Sequence, residues 1–284
     1  MKNKRTGLII ESIEFANEEV KGEVPSSKTE KYKSCTVITT KIENSREAKA
    51  LKREQGTYIT IEYGKNYSIT DDEFENIVDI ISQKIKLFSD RYFGKRIVVA
   101  GIGNRNITAD SIGPKSVDRI IVTRAFENTE FISNDCLGNV CAIATDVFGI
   151  TGIECAELIE GIAHVLNPAL IIVIDALATT SLNRLCKTVQ ISDTSLTPGG
   201  GVDNDRKQIS SHNINVPIIS IGVPTVIDAN TLVNDIVAEY GDSLIAMPAQ
   251  IDKATDMGAK LIAFSLNKAL HNNLSVEEIL KFLY

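Results

Sequence analysis

Residues 169–176, ALIIVIDA, are apolar without a break until they meet an acid. A strand apolar on both sides belongs in the middle of a sheet that helices cover on both faces. The residues before it agree. Positions 152–166 read as a helix stopped by Asn167-Pro168, a pair that cannot continue one. The same alternation recurs along the chain. Thr70-Asp-Asp-Glu73 is a capping box, and it opens a helix whose apolar residues Phe74, Ile77, Val78, Ile81, Ile85 and Phe88 fall near a 3.6-residue period. RIVVAGIG (96–103) reads as a second buried strand, and Gly113-Pro114 starts a helix with Val117, Ile120 and Ile121 inward. VQISDT (189–194) and VPIISIGVP (216–224) read as strands, and 227–238, 255–270 and 275–283 as helices. CTVITTKI and GTYITIEY, within 35–63, are β-rich. The expected fold class is α/β, a mostly parallel sheet covered by helices on both faces, with 35–284 as a single domain. Residues 1–34 are the most polar stretch and read as a mobile or loosely attached arm, with an edge strand of the main domain as the alternative.

Composition excludes several classes. Of 284 residues, 43% are hydrophobic and 24% charged, enough apolar material for a core. Thirty basic against 37 acidic residues leave a net charge of -7, which argues against a general electrostatic grip on nucleic acid. The apolar runs fall far short of the ~20 residues of a membrane helix. The N-terminus lacks the apolar stretch of a secretory signal. Five cysteines, an odd number with no Cys-x-x-Cys pair, point to reduced thiols in a cytoplasmic compartment rather than disulfides or structural zinc. With three histidines, a His-rich metal site is disfavoured.

In open parallel sheets, sites form beyond the carboxyl ends of strands. Two such ends carry acids: Asp110, in the Gly/Asn-rich loop after 96–101, and Asp175, at the end of the apolar run. Two carboxyls close together in a dry cleft cannot both ionise easily, so one keeps a proton while the other acts as base. Such a pair can activate water and protonate a leaving amine. The competing assignment makes Asp110 a turn cap and has Asp175 accept a backbone N–H. The loop 191–207 holds Asp193 and Pro198, then Gly199, Gly200 and Gly201, whose free N–H groups could hold a substrate carbonyl or an anion, with Arg206 and Lys207 adding charge. Glu154 is either a third cleft acid or a first-turn helix charge. GIGN lacks the third glycine of a dinucleotide fingerprint, since Asn106 stands there. His164 reads as a surface or packed residue and Cys155 as core.

Six ordered blocks carry a resemblance: GTYITIE (56–62), GIGNRNITADSIGP (101–114), TGIECAELI (151–159), IDALATTSLNRL (174–185), QISDTSLTPGGGVDNDRK (190–207) and IISIGVPTVIDA (218–229). In these the chain resembles the germination protease family of spore-forming bacteria, self-processing aspartic-type endopeptidases. The resemblance implies that Asp110 and Asp175 are the catalytic pair, and that the fold is similar to that of hydrogenase-maturation proteases. It implies a substrate class, the small acid-soluble spore proteins, and a homotetramer of the forespore or spore core. It also implies a zymogen whose arm contains a propeptide. No cofactor and no metal is expected, nor direct contact with nucleic acid or membrane.

The family's substrates are cut in a pattern similar to Glu, then Phe or Ile, Ala, any residue, Glu. Glu14-Phe15-Ala16-Asn17-Glu18 matches it, which places autoprocessing between Glu14 and Phe15, with the arm as a substrate mimic. The chain departs from the pattern in three places. Gly7 stands where the family usually has an acid, which counts against cleavage before Leu8. Ala109 replaces a usual proline, and Ala125 a usual histidine. The alternatives are a metal-assisted peptidase of the hydrogenase-maturation type and a non-catalytic binder of spore proteins.

Overall fold

The computed structural model describes residues 6–19, 24–64, 69–129, 137–199, 206–228, 245–272 and 274–283. Its strands are β1 (Ser27–Lys31), β2 (Cys35–Ile42), β3 (Gly56–Tyr63), β4 (Arg96–Ile102), β5 (Asn139–Asp146), β6 (Leu170–Thr179), β7 (Thr188–Ser192), β8 (Ile218–Asp228) and β9 (Ile245–Ala246). They form one sheet in the order β1-β2-β3-β7-β8-β6-β4-β5, with β9 on β8. The α/β class is as expected. The half β8-β6-β4-β5 is parallel, and an antiparallel run, β1-β2-β3-β7, continues it.

β6 is the central strand that its sequence requires: Leu170 to Ile174 are each at most 1% exposed. Side chains alternate across it. Ile172 and Ile174 join a core with α3 (Asp71–Ser89) and the helix Ile251–Leu270 on one face, while Ile171 and Val173 join the core under the helix Cys155–Leu166 on the other. The Thr70–Glu73 capping box is present, and Ile77, Val78, Ile81 and Ile85 of α3 are fully buried. Numbered in chain order, the other helices of six or more residues are α1 (Ile9–Glu19), α2 (Ser45–Leu51), α4 (Ile112–Val117), α5 (Cys155–Leu166), α6 (Ile251–Leu270) and α7 (Val276–Leu283).

Some expectations are corrected. Helix α4 is short, and Ile120 and Ile121 are buried beyond its end. Residues 227–228 belong to β8; the rest of the expected helix 227–238 lies outside the described residues. The arm is docked, not loose, wherever it is described. α1 inserts Ile9, Ile13 and Ala16 against Ile42, Leu51 and Tyr58, while Ser27–Lys31 pairs with β2 as the edge strand. The apolar residues at 9, 13 and 16 follow a helical period that the surrounding acids obscured.

Glycines set how closely α4 approaches the sheet. A Cβ on Gly113 would lie 2.2 Å from the Ile102 carbonyl oxygen and 2.7 Å from that of Ile174; one on Gly101 would lie 2.3 Å from the Gly113 carbonyl. The glycines of GIGN therefore serve backbone-to-backbone packing, and this packing seats the loop that carries Asp110.

Candidate active site

β4 leads to β5 on one side, and the chain then crosses back to place β6 on the other side of β4. The crevice beyond the carboxyl ends of β4 and β6 is where such sheets hold their sites. Asp110 enters it from a single 3-10 turn, Thr108–Asp110, after β4; Asp175 enters it from β6 itself. Both line one cavity of about 400 Å³.

Their environments differ. Asp175 is 3% exposed, and its carboxylate accepts the Ala176 N–H at 2.8 Å and the Gly199 N–H. Burial, and then the neighbouring charge of Asp110, push its pKa up to about 8 despite these donors. Asp110 accepts the Asn104 N–H at 2.7 Å. Burial raises its pKa, the Asn104 bond opposes the rise, and Asp146 adds to it. Burial thus favours a protonated Asp175 at neutral pH and acts in the same direction, opposed by the Asn104 bond, on Asp110. Each aspartate does accept a backbone N–H, as the competing assignment held, and this coexists with a shared cavity.

Asp146 carried no signal in the sequence. It ends β5 at φ +59°, an uncommon conformation for a non-glycine residue, and accepts the Val147 N–H. Its carbonyl accepts a hydrogen bond from the Cys155 thiol, and Cys155 both packs in the core and lines the cavity. Glu154 fills both suggested roles: it caps α5 and lines the cavity, paired with Arg206 at 3.2 Å. Arg206 sits over the Phe148 ring, 5.2 Å from its centroid, and is the one cation among the described lining residues. Ile102, Ile107, Val147 and Leu177 make the rest of this chamber largely apolar. Gly199 is in place. Gly200 and Gly201 lie outside the described residues. Asp193 is elsewhere: its carboxylate accepts the Thr57 N–H at 2.7 Å, and it lines neither cavity bordered by Asp175.

A second chamber, of about 690 Å³, also reaches Asp175, and its wall carries Lys49, Lys52 and Arg53. Arg53 makes no ion pair among the described residues; its guanidinium donates to the Thr6 carbonyl at 2.7 Å and to the Ser12 hydroxyl. Nothing in sequence links Arg53 to Asp175, over 120 positions away. The sheet order brings them together.

The arm enters this second chamber at Thr6 and Gly7. The Gly7 N–H donates to the Ala178 carbonyl at 2.8 Å, and the Gln190 side chain holds the Gly7 carbonyl and the Ile9 N–H. A Cβ on Gly7 would lie 2.8 Å from the Leu177 Cβ, so a larger residue cannot sit this tightly. Glu14 and Phe15 are not beside Asp175. They lie within α1, where Glu14 forms a two-pronged pair with Arg184 at 2.6 and 2.8 Å. Among the described residues, no group of three or more His, Cys, Asp or Glu side chains could hold a metal ion, and no helix is long and apolar enough to cross a membrane.

A germination protease of Clostridium perfringens (strain ATCC 13124) is 33% identical over 325 aligned positions that cover all of both chains. One from Priestia megaterium is 34% identical over 244 positions, covering 81% of this chain and 65% of its own. Among solved structures, a [NiFe] hydrogenase maturation protease, HycI from Thermococcus kodakarensis KOD1, matches 63% of this chain and 98% of its own at 20% identity, with a TM-score of 0.38. The family model described as germination protease matches residues 10–240, and with that span and these relatives the chain belongs to the germination protease family.

Proposed function

We propose that this peptidase is a self-processing endopeptidase of the aspartic type acting on small acid-soluble spore proteins. The observation that carries the mechanism is the buried Asp175, its pKa pushed up to about 8, lining the same cavity as Asp110; in this reading Asp175 is the acid and Asp110 the base. A water between them attacks the scissile carbonyl carbon, and Asp110 takes the water's proton. Asp175 gives its proton to the carbonyl oxygen. As the tetrahedral intermediate collapses, Asp110 passes its proton to the amide nitrogen, one hydroxyl of the intermediate returns its proton to Asp175, and the C–N bond breaks as the new carboxyl group forms. The Gly199 backbone turns toward the same point.

Two chambers of opposite character meet at Asp175, and they suit an extended substrate with an acidic residue on one side of the cut and an apolar one on the other. The chamber with Phe148 and Ile107 takes the apolar side chain; Lys49, Lys52 and Arg53 face the acid. Charge-assisted hydrogen bonds are worth about 1.5–3 kcal/mol. Arg53→Met in arm-free protein is therefore expected to raise KM about tenfold or more for a Glu-Phe-Ala-x-Glu peptide. It should leave KM for the peptide with Gln before the cut nearly unchanged. Equal loss on both peptides removes Arg53 from recognition.

The arm blocks the cationic chamber, and Arg53 is held by two of its residues, Thr6 and Ser12. Processing between Glu14 and Phe15 frees both contacts, and it requires α1 to unwind so that the bond can enter the cleft. Mass spectrometry of matured protein is expected to give Phe15 as the N-terminus. A mature chain beginning at Leu8 instead assigns the cut to the segment already lying beside β6. Absence of peptide cleavage at any pH from acid to neutral, with and without the arm, would leave a binder of spore proteins.

A further inference from the structure

Gln190 is a buried amide whose polar atoms are both given to the main chain of the arm. It is 8% exposed. Its Oε1 accepts the Ile9 N–H at 2.7 Å, its Nε2 donates to the Gly7 carbonyl at 3.0 Å, and its side chain has no other partner among the described residues. The Ala178 carbonyl accepts the Gly7 N–H at 2.8 Å. The segment Gly7–Ile9 is thus held by three hydrogen bonds, and none of them involves a side chain of the segment. A carbonyl and the N–H two residues further on point the same way in any extended chain, which is how one strand presents itself to another. The row across the sheet places this amide. Gln190 pairs with Gly222, and Gly222 with Asp175, so the three form one line across β7, β8 and β6. Two strand spacings are about 10 Å, which roughly three residues of extended chain cover. Gly222 lets the Leu177 side chain lie flat between the two ends of the line, since a Cβ there would be 2.5 Å from the Leu177 Cγ. Leu177 lines both chambers and floors the path from Gln190 to Asp175.

We propose that Gln190 is a main-chain clamp for the substrate. Departure of the arm strips both polar atoms of a buried amide, and a buried group left unpaired is costly. An extended substrate restores the loss with the same two groups, a carbonyl and the N–H two residues on, and the Ala178 carbonyl takes the N–H before them. Gln190 lines the cationic chamber, so the clamped residues lie on the acidic side of the cut, roughly three residues from Asp175. Lys49, Lys52 and Arg53 choose a side chain there; Gln190 chooses none and fixes where the chain lies. The inference rests on the peptidase reading for its ligand, and adds to it a register that is independent of the substrate's side chains.

The test is a series of Glu-Phe-Ala-x-Glu peptides, lengthened before the first Glu, each with one amide replaced by an ester and each given to matured protein. An ester removes an N–H and keeps the carbonyl. Two esters placed two residues apart are expected to raise KM about fivefold each, the worth of an ordinary hydrogen bond. The ester between them should cost nothing, and kcat should stay within about twofold. In Gln190→Met the second of the two esters is expected to lose its cost while the first, which faces the Ala178 carbonyl, keeps it. A general loosening of the fold does not produce that pattern. A flat scan, or both costs kept in Gln190→Met, overturns the clamp and leaves the peptidase reading standing. Should the variant not fold, the scan of the parent decides alone. If the protein binds the peptides without cutting them, the peptidase reading fails, and the same ester costs read as Kd by fluorescence anisotropy still decide the clamp. Protein that neither binds nor cuts them overturns both.

Discussion

Asp175→Asn is expected to lose at least about a thousandfold of peptide cleavage and all self-processing, and to be more stable than the parent at pH 8. General acid–base groups contribute about 10²–10⁴ in rate; here the variant also lacks the proton that burial favours on Asp175. The stability effect has a definite sign. Unfolding returns Asp175 from a pKa of about 8 to its ordinary value of 3.8. The folded state binds that proton more tightly, so the contribution to stability is complete below about pH 4 and is lost as pH rises toward 8. Each unit of separation is worth about 1.4 kcal/mol, so the penalty in the parent reaches several kcal/mol. Asparagine carries no such penalty and can still accept the Ala176 and Gly199 N–H groups. The Tm difference between variant and parent should be small at pH 4 and grow steadily to pH 8. The pH profile of kcat in the parent should fall on the basic side near 8. A parallel pair of Tm curves, or cleavage retained by the variant, removes Asp175 as the acid.

Gly113→Ala is expected to have the largest effect on folding. The atoms its Cβ would meet, 2.2 to 2.7 Å away, are backbone atoms of Ile102 and Ile174, which cannot turn aside as a side chain can. Overpacking typically costs about 1–3 kcal/mol and sometimes more; a site closed by two strands belongs at the top of that range. For a chain of this size about 3 kcal/mol lowers Tm by roughly 6–12 °C. Gly103→Ala tests the same region in a second way, since φ is +122° and the added carbon would lie 1.9 Å from the Asp110 carbonyl oxygen. It should displace the loop that carries Asp110 and lower kcat even where the protein still folds. Gly161 supplies the control: it lies inside α5 with nothing within 4 Å of the added carbon, so Gly161→Ala should gain about 1 kcal/mol. Equal Tm values for the Gly113 and Gly161 variants contradict this account of the packing.

How far the sequence could be read depended on whether each signal was local. The place of β6 follows from its own residues, because an unbroken apolar run before Asp175 admits few other surroundings. α3 announces itself through Thr70 and Glu73. The crevice was legible too, since both aspartates sit where parallel strands end. Nothing local marks Arg53, Tyr58 or Gln190 as neighbours of Asp175. They come from the antiparallel strands and α2, and only the order β3-β7-β8-β6 brings them there. Asp193 misled for the opposite reason. It sits in the same glycine-rich stretch as Gly199, but its carboxylate is used to hold the start of β3. Asp146 was hidden because left-handed backbone at an aspartate leaves no trace in composition. α1 was hidden because its burial is set by tertiary contacts with Ile42 and Tyr58.

The docked arm has a mechanical consequence. It rivets two regions of the chain. Ile9 and Ile13 grip β2, β3 and α2, while Glu11, fully buried, accepts from the Thr179 and Thr180 hydroxyls and the Thr180 N–H and lies 3.5 Å from Arg184. Taking away residues up to Glu14 strips Arg184 of two of its three carboxylates, leaving Glu62, and bares the apolar seat of the helix. Removal of the arm would loosen the loop between β6 and β7 and open the cationic chamber together. Accessibility and durability cannot both be raised in this chain.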